Sequence, residues 1–313
     1  MAEEIAPRDV YGKTLVELGK ENPDVVVLDA DLKPSTMTYH FEKEFPGRFF
    51  EVGIAEQNMI GIACGLAASG KIPFASTFAV FAPGRCFDQI RVSVAQARLN
   101  VKIVVTHAGL TVGEDGASHQ ALEDLSLVCS LPGFTVIVPA DGVETAQVIR
   151  AVAAHDGPCY VRLCRPKLPV IYNDSYKFQI GKADELRPGA DAAIIACGVM
   201  VSPALDAAKQ LAEENISCRV LNMSTLKPID EAAVVKAARE TGAIVTAEEH
   251  QAHGGLGSIV ARITAANYPV PVELVAVKDV FGQSGKPAEL LQKYGLTAKE
   301  IVAAVREALK RKG

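Results

Sequence analysis

The chain has 313 residues, 49% hydrophobic and 22% charged, which is enough apolar content for a sizeable core divided over about two domains. A formal charge of −5 supplies no cationic surface for nucleic acid or an anionic membrane, so partners of those classes are excluded, although local basic residues suffice for a small phosphate. Tryptophan is absent and aromatics make up only 6%, so the apolar fraction is mainly Ala, Val, Ile and Leu, as in α/β layering rather than an aromatic-rich β sandwich.

Seven scattered cysteines without a CxxC pair read as reduced, mostly buried thiols, and point to the cytoplasm. The start, MAEEIAPRDV, has no basic segment followed by an apolar run, and no apolar stretch reaches the roughly 18–20 residues of a membrane helix. The expectation is a soluble cytoplasmic protein.

In chain order, Val25–Leu28, Ile72–Phe74, Val101–Val105, Thr135–Val138 and Tyr160–Leu163 are short, β-branched and bounded by polar or turn residues, which predicts buried strands. Helical patterns lie between them at Gln57–Ala68, Arg85–Ala97, Gln120–Ser130 and Gly142–Ala154. Asp141 followed by Glu144 predicts a capped start for the last of these. Such alternation specifies a largely parallel sheet with helices on both faces.

From Tyr172 to Asp191 the pattern breaks at Asn173, Asp174, Gly181, Pro188 and Gly189, which predicts a linker over 173–190 with room for one strand near Phe178. Alternation resumes at Ala192–Ala196, Arg219–Leu221, Ala243–Thr246 and Val272–Val277, and a last helix is predicted from Thr297 with Glu300 completing a capping box. The expected class is therefore α/β, with one domain over 1–172 and a second over 191–313, each built on a mostly parallel sheet flanked by helices.

Three stretches carry candidate chemistry. In Gly53–Met59, Glu56 precedes an almost wholly apolar helix. It reads either as an exposed first-turn acid favoured by the helix dipole or as a desolvated carboxyl able to share a proton with a ligand nitrogen. In THAGLTVGEDGASHQ (106–120), two of the chain's six histidines share a glycine-rich loop with Glu114 and Asp115, after a strand and before a helix. Loops beyond the carboxyl ends of strands are where open α/β sheets bind ligands. The spacing matches no compact zinc signature and no metal ligands are assigned to this chain. In Ser76–Phe81, Phe78 and Phe81 form either ordinary core or an apolar wall for a flat heteroaromatic ring.

GIAEQNM, STFAVFAPGR, THAGLTVGEDGASHQ, LPGFTVIVPAD and CRPKLP, in that order, strongly resemble the second half of transketolases, from about Pro7 to the C-terminus. The THxxxxxGEDGxxHQ run is the specific part. The resemblance implies a thiamine-diphosphate pyrimidine-binding fold joined to a transketolase C-terminal domain, and assigns roles by position. Glu56 matches the glutamate that hydrogen-bonds N1′ of the aminopyrimidine and sets its tautomer. Phe78 and Phe81 match aromatics around that ring, His119 a histidine beside its 4′-amino group, and Asp31 an acid near the cofactor. Asp115 matches a residue that recognises a sugar hydroxyl, while Arg8, Ser35, His107 and Arg165 match the positions that hold the sugar phosphate.

The chain departs from the family at Gly84, where a third aromatic is usual, so closure of the pyrimidine pocket is expected from Arg85 or Phe87. Gln57 and Asn58 stand where His-Ala is common. No GDG motif occurs in the chain. The GDG…N set that holds Mg²⁺ and the diphosphate is therefore expected on a partner, the N-terminal subunit of a split transketolase, in a complex of two copies of each chain. The implied reaction is reversible transfer of a two-carbon ketol unit between ketose and aldose phosphates in the pentose phosphate pathway. The rivals are a 1-deoxyxylulose-5-phosphate synthase-like or 2-oxo-acid dehydrogenase E1 β-like subunit, and a non-catalytic scaffolding subunit. The glycine-rich Glu248–Ser258 turn reads either as an anion-binding helix N-terminus or as structural support for a dimer.

Overall fold

The computed structural model of the chain describes residues 3–173 and 175–312. Six parallel strands form the first sheet in the order Thr135–Ile137, Cys159–Arg162, Lys102–Thr106, Ile72–Phe78, Val25–Asp29, Phe49–Glu51. Strands such as Val25–Asp29 and Lys102–Thr106 are buried along their whole length, which is why they read as unbroken apolar runs rather than alternating ones. Parallel pairing needs a crossover after each strand, and helices Pro7–Glu21, Glu56–Ala68 and Gly142–Ala154 pack on the faces as that requires.

The second sheet has the order Val272–Val277, Ile244–Gln251, Ala192–Ala196, Cys218–Asn222, Asp184–Arg187, with only the last strand antiparallel. Asp184–Arg187 lies inside the stretch expected to be linker. Among the described residues no strand forms around Phe178. Instead the Phe178 amide donates to Gln147 Oε1 at 2.8 Å, and the ring packs on the first domain's core. Asp174, also read into that linker, lies outside the described residues.

The two halves are not separate cores. Thr225–Lys227, from the second half of the chain, adds an antiparallel edge strand to the first sheet, and one apolar cluster joins Leu125 and Val138 to Ile195, Leu221 and Leu226. The seven cysteines are free, and all but Cys129 are buried. Among the described residues no helix is long and apolar enough to cross a membrane.

Local signals differ from expectation at several ends. Asp141 caps its helix as predicted, accepting the Glu144 amide at 2.8 Å, but the Glu144 carboxylate reaches one residue further back, to the Ala140 amide at 2.7 Å. The Thr297 and Glu300 side chains bond each other rather than the helix backbone. The helix expected at 85–97 begins at Ala82 and continues from Ile90 as a π-helical segment to Gln96. The one expected at Gln120–Ser130 begins only at Asp124, because residues 107–122 are an excursion whose legs are tied by Gly109 N–H to the Ala121 carbonyl at 3.0 Å.

Candidate active site

All six parallel strands of the first sheet end on one edge, so the segments after Asp29, Glu51, Phe78, Thr106 and Arg162 converge there. The first of these is organised by Asp29. Its buried carboxylate accepts from the Leu32 amide at 2.7 Å and the hydroxyls of Thr36 and Thr38 at 2.6 and 2.8 Å. Burial nevertheless raises its pKa to about 6. The folded turn presents Asp31 at φ 63° and Ser35 in the short helix Lys33–Thr36. Asp31 is exposed at the rim, its amide donating to Glu51 Oε1 at 2.8 Å.

Glu56 is the first residue of helix Glu56–Ala68 and is only 5% exposed, so the buried reading of this carboxyl holds over the exposed one. Arg85 Nη1 donates to its Oε1 at 2.8 Å, and the same guanidinium lies 4.1 Å from the centre of the Phe81 ring. The Arg85 carbonyl accepts from Gln57 Nε2 at 2.8 Å. Gly84, where a third aromatic is usual, faces open space. Of the two side chains expected to compensate, Arg85 lies at Glu56 and Phe81, and Phe87 lines a different groove with Arg91 and Leu131. Ile54, Glu56, Asn58 and Arg85 enclose a shallow groove of about 420 Å³.

Beside this acid lies an aromatic cluster. The Phe78 and Phe81 rings stack with centres 5.8 Å apart, His107 stacks on Phe78 at 3.9 Å, and His119 meets Phe81 edge-on at 5.5 Å. His107 sits at φ 58°, in the left-handed region that non-glycine residues visit at a cost, which turns its ring back over Phe78. It is buried, and desolvation, followed by the charges of Arg8, Arg165 and His119, lowers its pKa to about 3, so the free imidazole is neutral. Arg8 Nη1 approaches His107 Nε2 at 3.4 Å. Arginine only donates, so Nε2 is the acceptor and Nδ1–H donates to Thr106 Oγ1 at 2.8 Å.

Arg8 Nη1 also donates to the Ser35 carbonyl at 3.2 Å, joining Arg8, Ser35 and His107 into one group. Among the described residues its buried Nε has no hydrogen-bond partner, with Asp9 Oδ1 4.0 Å away. Arg165, 39% exposed, donates to the Val112 carbonyl at 2.7 Å and lies 3.8 Å from Asp115 and 3.9 Å from Glu114. Asp115 is exposed at the rim, and His119 is half-buried with Nδ1 3.0 Å from Ser118 Oγ. The structure thus brings together Glu56, Phe78, Phe81, His107 and His119 with Arg8 and Ser35, and sets Arg165 with Asp115 beside them. Asp31 makes no side-chain bond to any of these.

Sequence reasoning missed two buried carboxyls that shape this edge, Asp29 and Glu249. For Asp29 the signal is an acid closing a β-branched run, followed by Thr36 and Thr38. For Glu249 it is the adjacent pair Glu248–Glu249 at the end of a buried strand, since such acids need partners. The Glu248–Ser258 turn is likewise settled in favour of a structural role. The anion at the N-terminus of helix Leu256–Asn267 is Glu248 itself, whose oxygens accept the Leu256 and Gly257 amides at 2.8 and 2.7 Å.

The residues present fit one end of the cofactor expected from the sequence. A flat ring suits the Phe78–Phe81–His119 wall, and the buried Glu56 carboxylate suits a ring nitrogen. Among the described residues no cluster of three or more His, Cys, Asp or Glu side chains is placed to hold a metal ion.

Fold and site together define a two-domain α/β protein whose first sheet gathers a buried acid, stacked aromatic rings and two arginines at its carboxyl edge. Residues 3–170 match the pyrimidine-binding domain of transketolase and residues 181–301 its C-terminal domain, so the chain belongs to the transketolase family. It is 48% identical to a putative transketolase C-terminal section of Methanocaldococcus jannaschii, covering 97% of this chain and 96% of the relative. It is 46% identical to a 6-deoxy-6-sulfo-D-fructose transketolase subunit of a Clostridium strain, covering 97% and 95%. A solved structure described as a split gene transketolase, inactive beta4 tetramer, superposes with a TM-score of 0.93 at 54% identity over 99% of this chain and 100% of that one. The match spans nearly the whole length of each of these relatives, and the chain is a transketolase subunit. The synthase-like, dehydrogenase-like and scaffold readings are set aside in its favour.

Proposed function

We propose that this subunit forms the pyrimidine and sugar side of a thiamine-diphosphate site that transfers a two-carbon ketol unit between a ketose phosphate and an aldose phosphate. The observation that carries the reading is the convergence, at one sheet edge, of a buried acid, an aromatic wall and two arginines. Thiamine diphosphate supplies the carbanion-stabilising chemistry. Glu56 would be the proton-sharing partner of N1′, and Arg85 orients its carboxylate. Phe78 and Phe81 exclude water from the ring, and His119 contacts its 4′-amino group and the substrate. Asp31 contributes at the cofactor rim, and Asp115 takes a sugar hydroxyl.

Arg8 and Arg165, with His107 and Ser35, form the anion-binding edge. Charge-assisted bonds from guanidinium groups suit a dianionic phosphate. His107, neutral when free, supplies no charge and accepts from Arg8, so its part in this edge is to position the Arg8 guanidinium. One relative is named for a sulfonated sugar, whose anionic oxygens the same groups could bind at a lower charge, so a panel of phosphorylated and sulfonated ketoses decides the skeleton.

Mg²⁺ and the diphosphate are held by a partner chain bearing the GDG…N set, in a cytoplasmic complex of two copies of each. Support comes from relatives of matching length described as a transketolase C-terminal section and a split gene transketolase. The helix Glu56–Ala68 adds to this, being apolar yet open on one side at Gly61 and Gly65, with Ile54 beside it 75% exposed. Purified alone with Mg²⁺ and thiamine diphosphate, the chain is expected to show no ketol transfer, and mixing with the partner to restore turnover that falls on dilution. Robust turnover by this polypeptide alone would overturn the two-chain reading.

A further inference from the structure

The second domain does more than support the first. Glu249, at the end of strand Ile244–Gln251, is buried, and its Oε1 accepts the Thr111 amide at 2.6 Å while its Oε2 accepts the Thr111 hydroxyl at 3.2 Å. Thr111 lies in the 3₁₀ turn Leu110–Val112, and the Val112 carbonyl is the acceptor that fixes Arg165. Asp115 follows three residues later on the same excursion.

The same strand end also grips the returning leg. The Glu249 carbonyl accepts from Arg162 Nη2 at 3.0 Å, that nitrogen also donates to the Ala121 carbonyl at 3.1 Å, and the Gln251 amide donates to the Leu122 carbonyl at 2.8 Å. The fit is close, since a Cβ at Gly109 would lie 2.2 Å from the Glu249 carboxyl carbon. Gly109 also has φ 77°, so both space and backbone demand glycine there.

Resting on the ketol-transfer reading, we infer that Glu249 is a positioning residue for the substrate edge: it holds the Leu110–Val112 turn, and through it the Arg165 guanidinium and the Asp115 loop, in the geometry that receives the anionic end of the sugar. Glu249 need not touch substrate. Its side chain replaces water as the acceptor for a backbone N–H that would otherwise be buried unpaired, and it competes with the Ala108 carbonyl, 3.4 Å away, for the Thr111 hydroxyl, which fixes a loop containing three glycines.

The test has two arms. In the first, amide hydrogen exchange is measured on the wild-type chain, Glu249→Ala and Glu249→Gln. Faster exchange over Thr111–Gly116 in the alanine variant, with protection retained in the glutamine variant and in the strand Cys218–Asn222, is the expected result. Unchanged exchange at Thr111–Gly116, or loss of protection throughout both variants, would overturn the clamp whatever the substrate. The second arm uses the reconstituted two-chain enzyme with a phosphorylated ketose and with phosphate-free hydroxypyruvate as donors, and includes Arg165→Ala. Glu249→Ala is expected to raise KM for the phosphorylated donor by about 10–100-fold while changing hydroxypyruvate kinetics less than about threefold, with Glu249→Gln restoring most of the loss. Equal losses on both donors, or no rescue by glutamine, would overturn the inference. If Arg165→Ala leaves the phosphorylated-donor KM unchanged while exchange responds as expected, the sugar-phosphate reading fails and the clamp stands.

Discussion

Two strand-to-helix corners of this chain occupy equivalent places, each beyond the carboxyl end of a parallel strand, and they treat charge in opposite ways. At the corner after Ile244–Gln251 the helix N-terminus is closed by the chain's own Glu248, and a Cβ on Gly255 would come within 2.1 Å of that carboxylate. At the corner after Lys102–Thr106 the internal acids, Glu249 at Thr111 and Asp115 beside Arg165, leave the Arg8 end of the edge uncapped. Arg8 bonds the Ser35 carbonyl and His107, Arg165 bonds the Val112 carbonyl and lies 3.8 Å from Asp115, the buried Nε of Arg8 has no hydrogen-bond partner among the described residues, and the stacked rings of Phe78 and Phe81 stand beside a nearly buried glutamate. The first corner commits its acid to its own helix end, although His250 Nε2 stays unpaired there among the described residues, whereas the second leaves a guanidinium and an aromatic wall uncommitted, the mark of a candidate site. Topology alone does not separate them.

The largest expected effect sharpens the open corner. In the reconstituted complex, Glu56→Gln should lower kcat by about 10²–10⁴-fold, the usual cost of losing a positioned proton-transfer group, while the complex still assembles. Retention of more than roughly a third of wild-type turnover would remove Glu56 from the chemistry, and the corner's claim to be the site would weaken with it.

A stability measurement probes the closed corner. Gly255→Ala forces Glu248 off the two amides it caps, leaving a buried carboxylate and a helix end without partners, at a cost of about 2–4 kcal/mol. Thermal denaturation should therefore shift down by roughly 5–10 °C, with the KM values of the assembled enzyme unchanged. A changed KM with an unchanged melting temperature would mean that this corner, too, takes part in binding.

The smallest effect concerns the residue that links the corners. Burial raises the Glu249 pKa from 4.5 to about 7, with Arg162 and the Thr111 bonds opposing the shift. The folded state then holds a proton that the unfolded state has released, so this group's stabilisation is complete below about pH 4.5 and is lost as pH rises through about 7. The slope cannot exceed about 1.4 kcal/mol per pH unit for one proton. Asp29 acts in the same direction and His107 in the opposite one, so the informative quantity is the difference between wild type and Glu249→Gln in denaturant titrations across this range. A difference independent of pH would show that Glu249 is ionised throughout.

Much of this architecture was legible before any coordinates, because buried parallel strands must be short unbroken apolar runs and their crossovers must be amphipathic helices. Val25–Leu28 and Ala192–Ala196 therefore announce themselves, and the motif order brought Glu56, the two phenylalanines and the 106–120 loop to one edge. The misses share a cause. Asp184–Arg187 is half-buried and polar, and it exists as a strand because Cys218–Asn222 offers it a partner. Thr225–Lys227 completes a sheet belonging to the other half of the chain, a pairing between residues nearly ninety positions apart that no local pattern encodes.

By itself the sequence determined the layer class, the strands and helices with strong periodicity, and which residue types could meet a cofactor ring and an anion. The tertiary structure alone decided that Arg85 rather than Phe87 lies at Glu56 and Phe81, that the second glycine-rich turn carries its own acid, and that Glu249 reaches across to the Leu110–Val112 turn. The reason is physical. Backbone propensity and burial periodicity act over a few residues and are written locally, whereas pairing a charge or filling the space beside a glycine depends on which distant atoms the fold sets within about 3 Å.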